Sequence, residues 1–375
     1  MFSVSSNEKQ ARLGKLKTRH GIIKTPFFMP IATKGSVKQL SPEDLKNIGT
    51  EAIISNAFIL SLKPGLDIIS KFKGIHKFMG WNKIIFTDSG GFQILSKTFL
   101  HKHSHSSIHF KNPYTNKIQE YTPEDIMKIE EGIGADVAMA LDFVPHYGNN
   151  KEYIADCTKI THEWAEKCIK SHEDKKQLLF GICQGGTFKD LREKSAKFIN
   201  SLDFNGVAFG GLGIGEGRDL MFKSISYGNK FIEDNKPRYL MGVGSPEDII
   251  EAISLGVDCF DSRFPTMNAR HGTLFTSNGR INIEKAIYRE DTSPIDEGCK
   301  CPVCKKFSKA FIHHLYKTYE TIRDRYGNIH NLHFIQTLMK NSQKAIKNNE
   351  FEEFKKQFLK DYKFNKNKKT VFTYS

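Results

Sequence analysis

The sequence predicts an α/β protein: a (β/α)8 barrel carrying an appended subdomain and C-terminal helices. Three observations predict it. The length of 375 residues suits one large barrel-type domain with an appendage. Eight short apolar runs alternate with helical patterns over about 250 residues, the span typical of such a barrel. After residue 280 the pattern changes to a Cys cluster followed by Lys-rich amphipathic segments. Residues 1–280 are therefore assigned to the barrel and 281–375 to the appended part.

The eight runs, in order, are PFFMPIA (26–32), EAIISN (51–56), KIIFTD (83–88), DVAMALD (136–142), QLLFGICQ (177–184), GVAFGG (206–211), PRYLMG (237–242) and GVDCFD (256–261). Continuous apolar runs suit strands buried on both faces, as in a parallel sheet. Three intervening helices open alike, at Ser41-Pro42-Glu43-Asp44, Thr122-Pro123-Glu124-Asp125 and Ser245-Pro246-Glu247-Asp248. Each supplies a hydroxyl N-cap, Pro in the first turn and acidic groups beside the positive helix end. No dinucleotide fingerprint follows the first run. The stretch from Ser89 to Lys117, with His101, His103, His105 and His109, reads as a solvated insertion or small hairpin, since nothing fixes those imidazoles in a ligand geometry.

Lys plus Arg exceed Asp plus Glu by 14, a balance that fits a polyanionic partner. Hydrophobic residues at 39% exclude large-scale disorder. No run of about 18 apolar residues exists and the start lacks a signal-peptide pattern, so a cytoplasmic, membrane-free protein is expected. Cys157, Cys168, Cys183 and Cys259 are scattered singly, whereas Cys299, Cys301 and Cys304 cluster. An odd cysteine count in such a chain argues against a disulfide scaffold.

The runs end on polar or glycine residues: Asn56, Asp88, Asp142, Gln184, Gly210-Gly211, Gly242 and Asp261. A barrel collects reactive groups at the C-terminal ends of its strands, so these should converge on one mouth. Any single Asp there is equally a helix N-cap; three in register read as a site. Carboxylates around a cavity suit glycosyl chemistry, one attacking or stabilising a sugar cation while another moves a proton. Ser89-Gly90-Gly91-Phe92-Gln93 lets backbone approach a planar ligand and a ring stack on it. The Gly-rich segment 210–217 serves similarly, or simply turns tightly. Cys299-x-Cys301-x2-Cys304 with His330 offers three thiolates and one imidazole, which satisfies tetrahedral Zn2+ with no open position, a structural site. Lys305, Lys306 and Lys309 follow as phosphate contacts or a wet helix face.

Together these residues resemble the tRNA-guanine transglycosylase (queuine tRNA-ribosyltransferase) family, bacterial type. The likeness spans nearly the whole chain: IATKGSVK, DSGGFQ (88–93), GICQGG (181–186), GGLGIGEG (210–217), RYLMGVGSPEDI (238–249), CFDSRFPT (259–266) and the Cys3His set. It implies a barrel with a zinc-binding subdomain, and exchange of guanine at the wobble position of tRNAs with a GUN anticodon (Asp, Asn, His, Tyr) for a 7-deazaguanine, in queuosine biosynthesis. By this resemblance Asp261 is the nucleophile on ribose C1′ and Asp88 the general acid/base. Ser89, Gly90, Gly91, Phe92, Asp142, Gln184, Gly211, Leu212 and Met241 would hold the base. Gly242, Val243, Gly244, Ser245, Pro246, Glu247 and Asp248, with Thr266, Met267, Asn268, Ala269 and Arg270, would meet the RNA. A homodimer is implied.

Departures exist. Asn56-Ala57-Phe58-Ile59-Leu60 stands where bacterial members read Asn-Thr-Tyr-His-Leu, Phe143-Val144 follows Asp142 in place of Glu-Cys, and Met267 replaces an Arg. Ile214, where queuine users carry Gly, favours 7-aminomethyl-7-deazaguanine, whereas Val144 points towards queuine. The competing readings are a non-catalytic tRNA-binding partner subunit, from which a nucleophile would be missing; an archaeosine-type enzyme, which carries an added C-terminal domain; and a glycoside hydrolase, against which charge and the metal subdomain argue.

Overall fold

The computed structural model describes residues 2–95 and 99–362. All eight apolar runs form strands: Phe27–Pro30, Ala52–Asn56, Ile84–Asp88, Val137–Met139, Leu178–Cys183, Gly206–Phe209, Arg238–Leu240 and Cys259–Ser262. They pair in parallel with their sequence neighbours, and the eighth returns to the first, with Asp261 opposite Met29. Ile31 bridges Ile54, and Ala32 N–H donates to the Ile54 carbonyl at 2.7 Å, which completes the ring. Alternation divides the side chains. Met29, Ile54, Phe86, Met139, Phe180, Ile182 and Tyr239 fill the interior, while Ile53, Ile85, Ala138, Leu179 and Val207 pack under the helices. Both faces being buried explains why the runs are continuously apolar.

Two of the three expected helix openings are as read. Ser41 and Asp44 form a reciprocal capping box before Pro42–Asn47, and Thr122 and Asp125 do so before Pro123–Ile133. The third corrects the expectation: Ser245 makes no side-chain cap to Pro246–Ser254, because its hydroxyl donates to the Asp248 carboxylate, which Arg218 also holds.

The insertion after Asp88 forms the short helix Gly91–Ile94 and an antiparallel sheet of Leu100–His103, Ile108–Lys111 and Ile118–Tyr121. Ile108 and Phe110 bury one face of it. Its histidines stay at the surface, His105 against Glu163 at 2.9 Å and His109 against Glu120 at 3.6 Å. A second antiparallel sheet was not foreseen. Phe2–Glu8, Ala11–Thr18 and Gly21–Lys24 precede the barrel, and Phe2, Leu16 and Ile23 join its interior cluster, plugging the end opposite the mouth.

Beyond the barrel, the hairpin Thr273–Thr276 and Gly279–Asn282 leads through the Cys cluster to helices Lys309–Lys317, Ile322–Lys347 and Phe351–Asp361. The long helix is stitched to the barrel by amide side chains. Gln336 Nε2 donates to the Phe28 carbonyl at 3.1 Å, and Gln343 Nε2 to that of Pro26 at 2.9 Å. The basic tail noted in the sequence, 363–375, lies outside the described residues. Among the described residues, no helix is long and apolar enough to cross a membrane.

Candidate active site and metal centre

Asp88 ends the third strand and Asp261 lies near the end of the eighth, so the sheet delivers both carboxylates to the same rim. Asp261 is buried and tethered through one oxygen: Tyr239 Oη–H donates to Oδ1 at 2.5 Å and Gly242 N–H at 2.8 Å. Both bonds fall on Oδ1, leaving Oδ2 for other chemistry. Burial holds the Asp261 carboxyl above its ordinary value despite those donors. Asp88 is pushed up to about 6, by burial and then by the negative charge of Asp261. Asn56 steadies it, donating to Asp88 Oδ2 at 3.2 Å while its own Oδ1 caps the next helix at Ile59 N–H, 2.8 Å.

The base-binding candidates close one side of the mouth. Gln184 Nε2 donates to Asp142 Oδ2 at 2.6 Å. Gln184 Oε1 is buried with no hydrogen-bond partner, an orphan acceptor whose cost a ligand N–H would relieve. Asp142 is pushed up to about 7, first by burial, with a smaller contribution from Asp88. Glycines make this closeness possible. A Cβ on Gly91 would lie 2.6 Å from the Asp142 carbonyl, one on Gly210 2.4 Å from Gln184 Nε2, and one on Gly211 2.5 Å from Gln184 Oε1. Gly90, at φ +85°, turns the chain after Ser89 and lies against Phe58. Leu212 is buried, and Phe92 and Met241 are half-buried.

The two tracts expected at RNA differ. In 242–248, Gly242 is half-exposed but Val243, Gly244, Ser245, Pro246, Glu247 and Asp248 are buried. Glu247 pairs with Arg280 and Asp248 with Arg218, so these carboxylates brace the loop from within. In helix Phe264–Arg270, Thr266 and Ala269 are buried, Thr266 bonding back to the Arg263 carbonyl at 3.1 Å. Met267, Asn268 and Arg270 are partly exposed. Met267 packs on the core, an apolar contact where the family likeness calls for a charge.

The other departures are also packing residues. Ala57 and Phe58 are fully buried, and the Phe58 ring meets Phe110 and Tyr121 edge-on at 4.9 and 5.6 Å. Phe143 sits between His103 of the insertion and Trp164. The lost polar groups are thus replaced by a seam that fixes the inserted sheet beside the mouth.

Cys299, Cys301, Cys304 and His330 come together with their ligand atoms all within 4.8 Å of one another. His330 Nδ1 is 3.8, 3.7 and 3.3 Å from the three sulfurs. A tetrahedral ion with zinc-like bond lengths leaves S···N edges of about 3.6 Å, so the set fits. His330 Nε2–H donates to the Phe275 carbonyl at 2.6 Å, which leaves Nδ1 as the ligand atom. His20, His76 and Asp136 also converge, at the barrel's other end. An imidazole binds a metal in its ring plane, and these two rings stack 3.6 Å apart at 19°. They share no in-plane point for one ion, and the cluster is a hydrogen-bond network.

Sequence reasoning missed Tyr239 and Arg192. Tyr239 follows the inward alternation of its strand, a signal that marks it as interior but not as a donor to Asp261. Arg192 gave no signal in its amphipathic helix, although it is completely buried.

The family model described as queuine tRNA-ribosyltransferase matches residues 6–364. A curated relative named queuine tRNA-ribosyltransferase from Dictyoglomus turgidum is 45% identical over 362 residues, covering 96% of this chain and 93% of its own. Proteins of the same name from a Thermoanaerobacter species and from Halalkalibacterium halodurans are each 44% identical, with 94% and 95% of this chain and 94% of theirs covered.

Proposed function

The chain belongs to the queuine tRNA-ribosyltransferase family, and from that premise we propose that it replaces guanine at the wobble position of GUN-anticodon tRNAs by a 7-deazaguanine through a covalent ribosyl–Asp261 intermediate. It is a tRNA-guanine transglycosylase, an enzyme of tRNA processing in the queuosine pathway. The observation that carries the mechanism is the pair Asp88 and Asp261, two carboxylates coupled across one buried rim. Asp261 Oδ2 attacks ribose C1′ as the C1′–N9 bond breaks, and Asp88 delivers a proton to the departing guanine. Asp88 then takes a proton from the incoming base, whose nitrogen attacks C1′ and releases Asp261. Two inversions give retention, and the ester conserves the glycosidic bond energy. A carboxyl near 6 suits both directions of transfer at neutral pH.

Asp142 and the orphaned Gln184 Oε1 are acceptors for the guanidine-like edge of the base, and the Gly211-Leu212 backbone faces its carbonyl. Phe92 and Met241 flank it. The base must leave the anticodon stack to reach them. For the incoming base we favour 7-aminomethyl-7-deazaguanine over queuine, since Ile214 adds bulk in the loop whose N–H groups Glu216 holds. Queuine exchanged as fast as the smaller base would overturn this choice. Gly242, Met267, Asn268 and Arg270 remain the tract positions exposed enough to meet RNA.

Zn2+ is the ion proposed for Cys299, Cys301, Cys304 and His330. Four protein ligands leave no open position, so it would fold the subdomain and take no part in exchange. Exposed Ile287, Phe311 and Tyr319 near that subdomain support a homodimer, and a tRNA substrate supports a cytoplasmic location.

The deciding experiment follows labelled guanine into unmodified GUN-anticodon tRNA, with Asp261→Asn alongside. Wild type incorporates label; the variant binds tRNA but loses at least about a thousandfold in rate and forms no adduct on denaturing gels. An adduct surviving in Asp261→Asn refutes the nucleophile. Cys301→Ser is expected to lose bound zinc and lower the melting temperature; full metal content with unchanged melting refutes that ligand set.

A further inference from the structure

We propose that Arg192, with Ser195 one turn later on helix Lys189–Ser201, is a positioning residue that fixes Gln184 relative to Gly211 and so sets the fit of the exchanged base. The proposal rests on the reading that Gln184 and the Gly211-Leu212 backbone hold that base. Arg192 is fully buried, and its guanidinium spends all three nitrogens on backbone carbonyls. Nη1 donates to Cys183 at 2.9 Å, Nη2 to Gly210 at 2.7 Å and Nε to Gly186 at 2.7 Å. Cys183 and Gly210 are the residues immediately before Gln184 and Gly211. One planar group thus grips the peptide units that enter both base-facing positions, on two different strands.

Ser195 completes the grip. Its Oγ accepts from Gln184 N–H at 3.0 Å and pairs with His162 Nε2 at 2.9 Å. Both polar atoms of the Cys183–Gln184 peptide are therefore held by one helix. The fit has little slack, since a Cβ on Gly211 would sit 2.5 Å from Gln184 Oε1, and one on Gly185 would sit 2.7 Å from Arg192 N.

A cation is an expensive way to fill this space. Among the described residues no carboxylate lies within ion-pair distance of Arg192, so burial of its charge is compensated at contact distance by carbonyl dipoles, with the Glu216 carboxylate adding a favourable charge from farther off. Packing by itself is met more cheaply by Met or Leu. What only the guanidinium supplies is a rigid fork of donors at fixed separation, which a Lys does not reproduce.

The test measures KM for guanine, kcat and tRNA affinity by gel shift in Arg192→Lys, Ser195→Ala and Gln184→Ala. Arg192→Lys is expected to raise KM for guanine about tenfold with kcat within about threefold and tRNA affinity unchanged. Unchanged KM in Arg192→Lys, while Gln184→Ala raises it, overturns the clamp and leaves the base-site reading intact. Unchanged KM in Gln184→Ala instead overturns the base-site reading and the clamp with it. A parallel fall in kcat and tRNA affinity with no change in KM marks a merely structural role and also overturns the proposal. If Arg192→Lys does not fold, Ser195→Ala decides. It removes one acceptor, and a rise of about threefold in KM for guanine is expected; no rise refutes the clamp.

Discussion

Asp136 and Asp142 flank the same strand, six residues apart, and both are buried, yet their surroundings drive them in opposite directions. Asp136, at the plugged end, accepts from His20 N–H at 3.0 Å, His20 Nδ1 at 2.9 Å, His76 Nε2 at 3.0 Å and Ile85 N–H at 2.9 Å. Burial opposes ionisation there, but these donors outweigh it and hold the carboxyl down at about 2. Asp142, at the mouth, has Gln184 as its side-chain partner, and burial wins, pushing it up to about 7. One end of the barrel spends its hydrogen bonds on itself. The other keeps acceptors unsatisfied, which costs stability and leaves them for a ligand.

The largest effect should come from breaking the mouth chemically. Asp88→Asn is expected to cut base exchange about a hundredfold or more and abolish any activity step near pH 6, with melting little changed. Steady-state incorporation across pH 5–8 checks this, and a retained step assigns that titration elsewhere. Next, Asp136→Asn breaks the plugged end. It should cost about 3 kcal/mol at pH 7 while activity per folded molecule stays constant, because two imidazoles and two amides lose their anion. A carboxyl held below its unfolded value stabilises above about pH 4 and loses that contribution as pH falls through about 2. The gap between variant and wild type should therefore close over that window in denaturant titrations.

The smallest effect on stability has the opposite sign. Asp142→Asn should stabilise, by on the order of 1–2 kcal/mol at pH 8 and less at pH 5, while guanine use is lost. The sign follows from a raised carboxyl: the folded state carries an ionisation penalty that grows as pH rises from the unfolded value and is complete above about 7. Equal stabilisation at both pH values would mean that Asp142 is not the group bearing it.

The barrel was legible because its signal is local. Runs such as KIIFTD and GVDCFD are mainly apolar and end in Asp, and strand patterning with strand-end polarity needs no tertiary knowledge. The metal cluster was legible for the same reason in its three cysteines, whereas His330 had to be found across a helix. What was not legible depends on distant partners. Phe2–Glu8 alternates weakly and becomes a strand only as part of the plug. Ser245 shares its opening with Ser41, yet its hydroxyl donates to the Asp248 carboxylate, which Arg218 also holds, and the cap is lost. Arg192 is one of many basic residues in a Lys-rich chain until the ends of two strands close around it.

The glutamine stitches between the long helix and the first strand bear on the order of assembly. During synthesis the chain emerges from its N-terminus, and the first strand must wait for Cys259–Ser262 before its open edge is paired. It waits longer still, until Gln336 and Gln343, for the side chains that secure Phe28 and Pro26. Those glutamines ride on the helix that carries His330, so the segment that completes the Cys3His cluster also latches the barrel's earliest strand. A ribosome stalled before residue 330 would hold a chain with the rim carboxylates Asp88 and Asp261 made and its barrel unlatched.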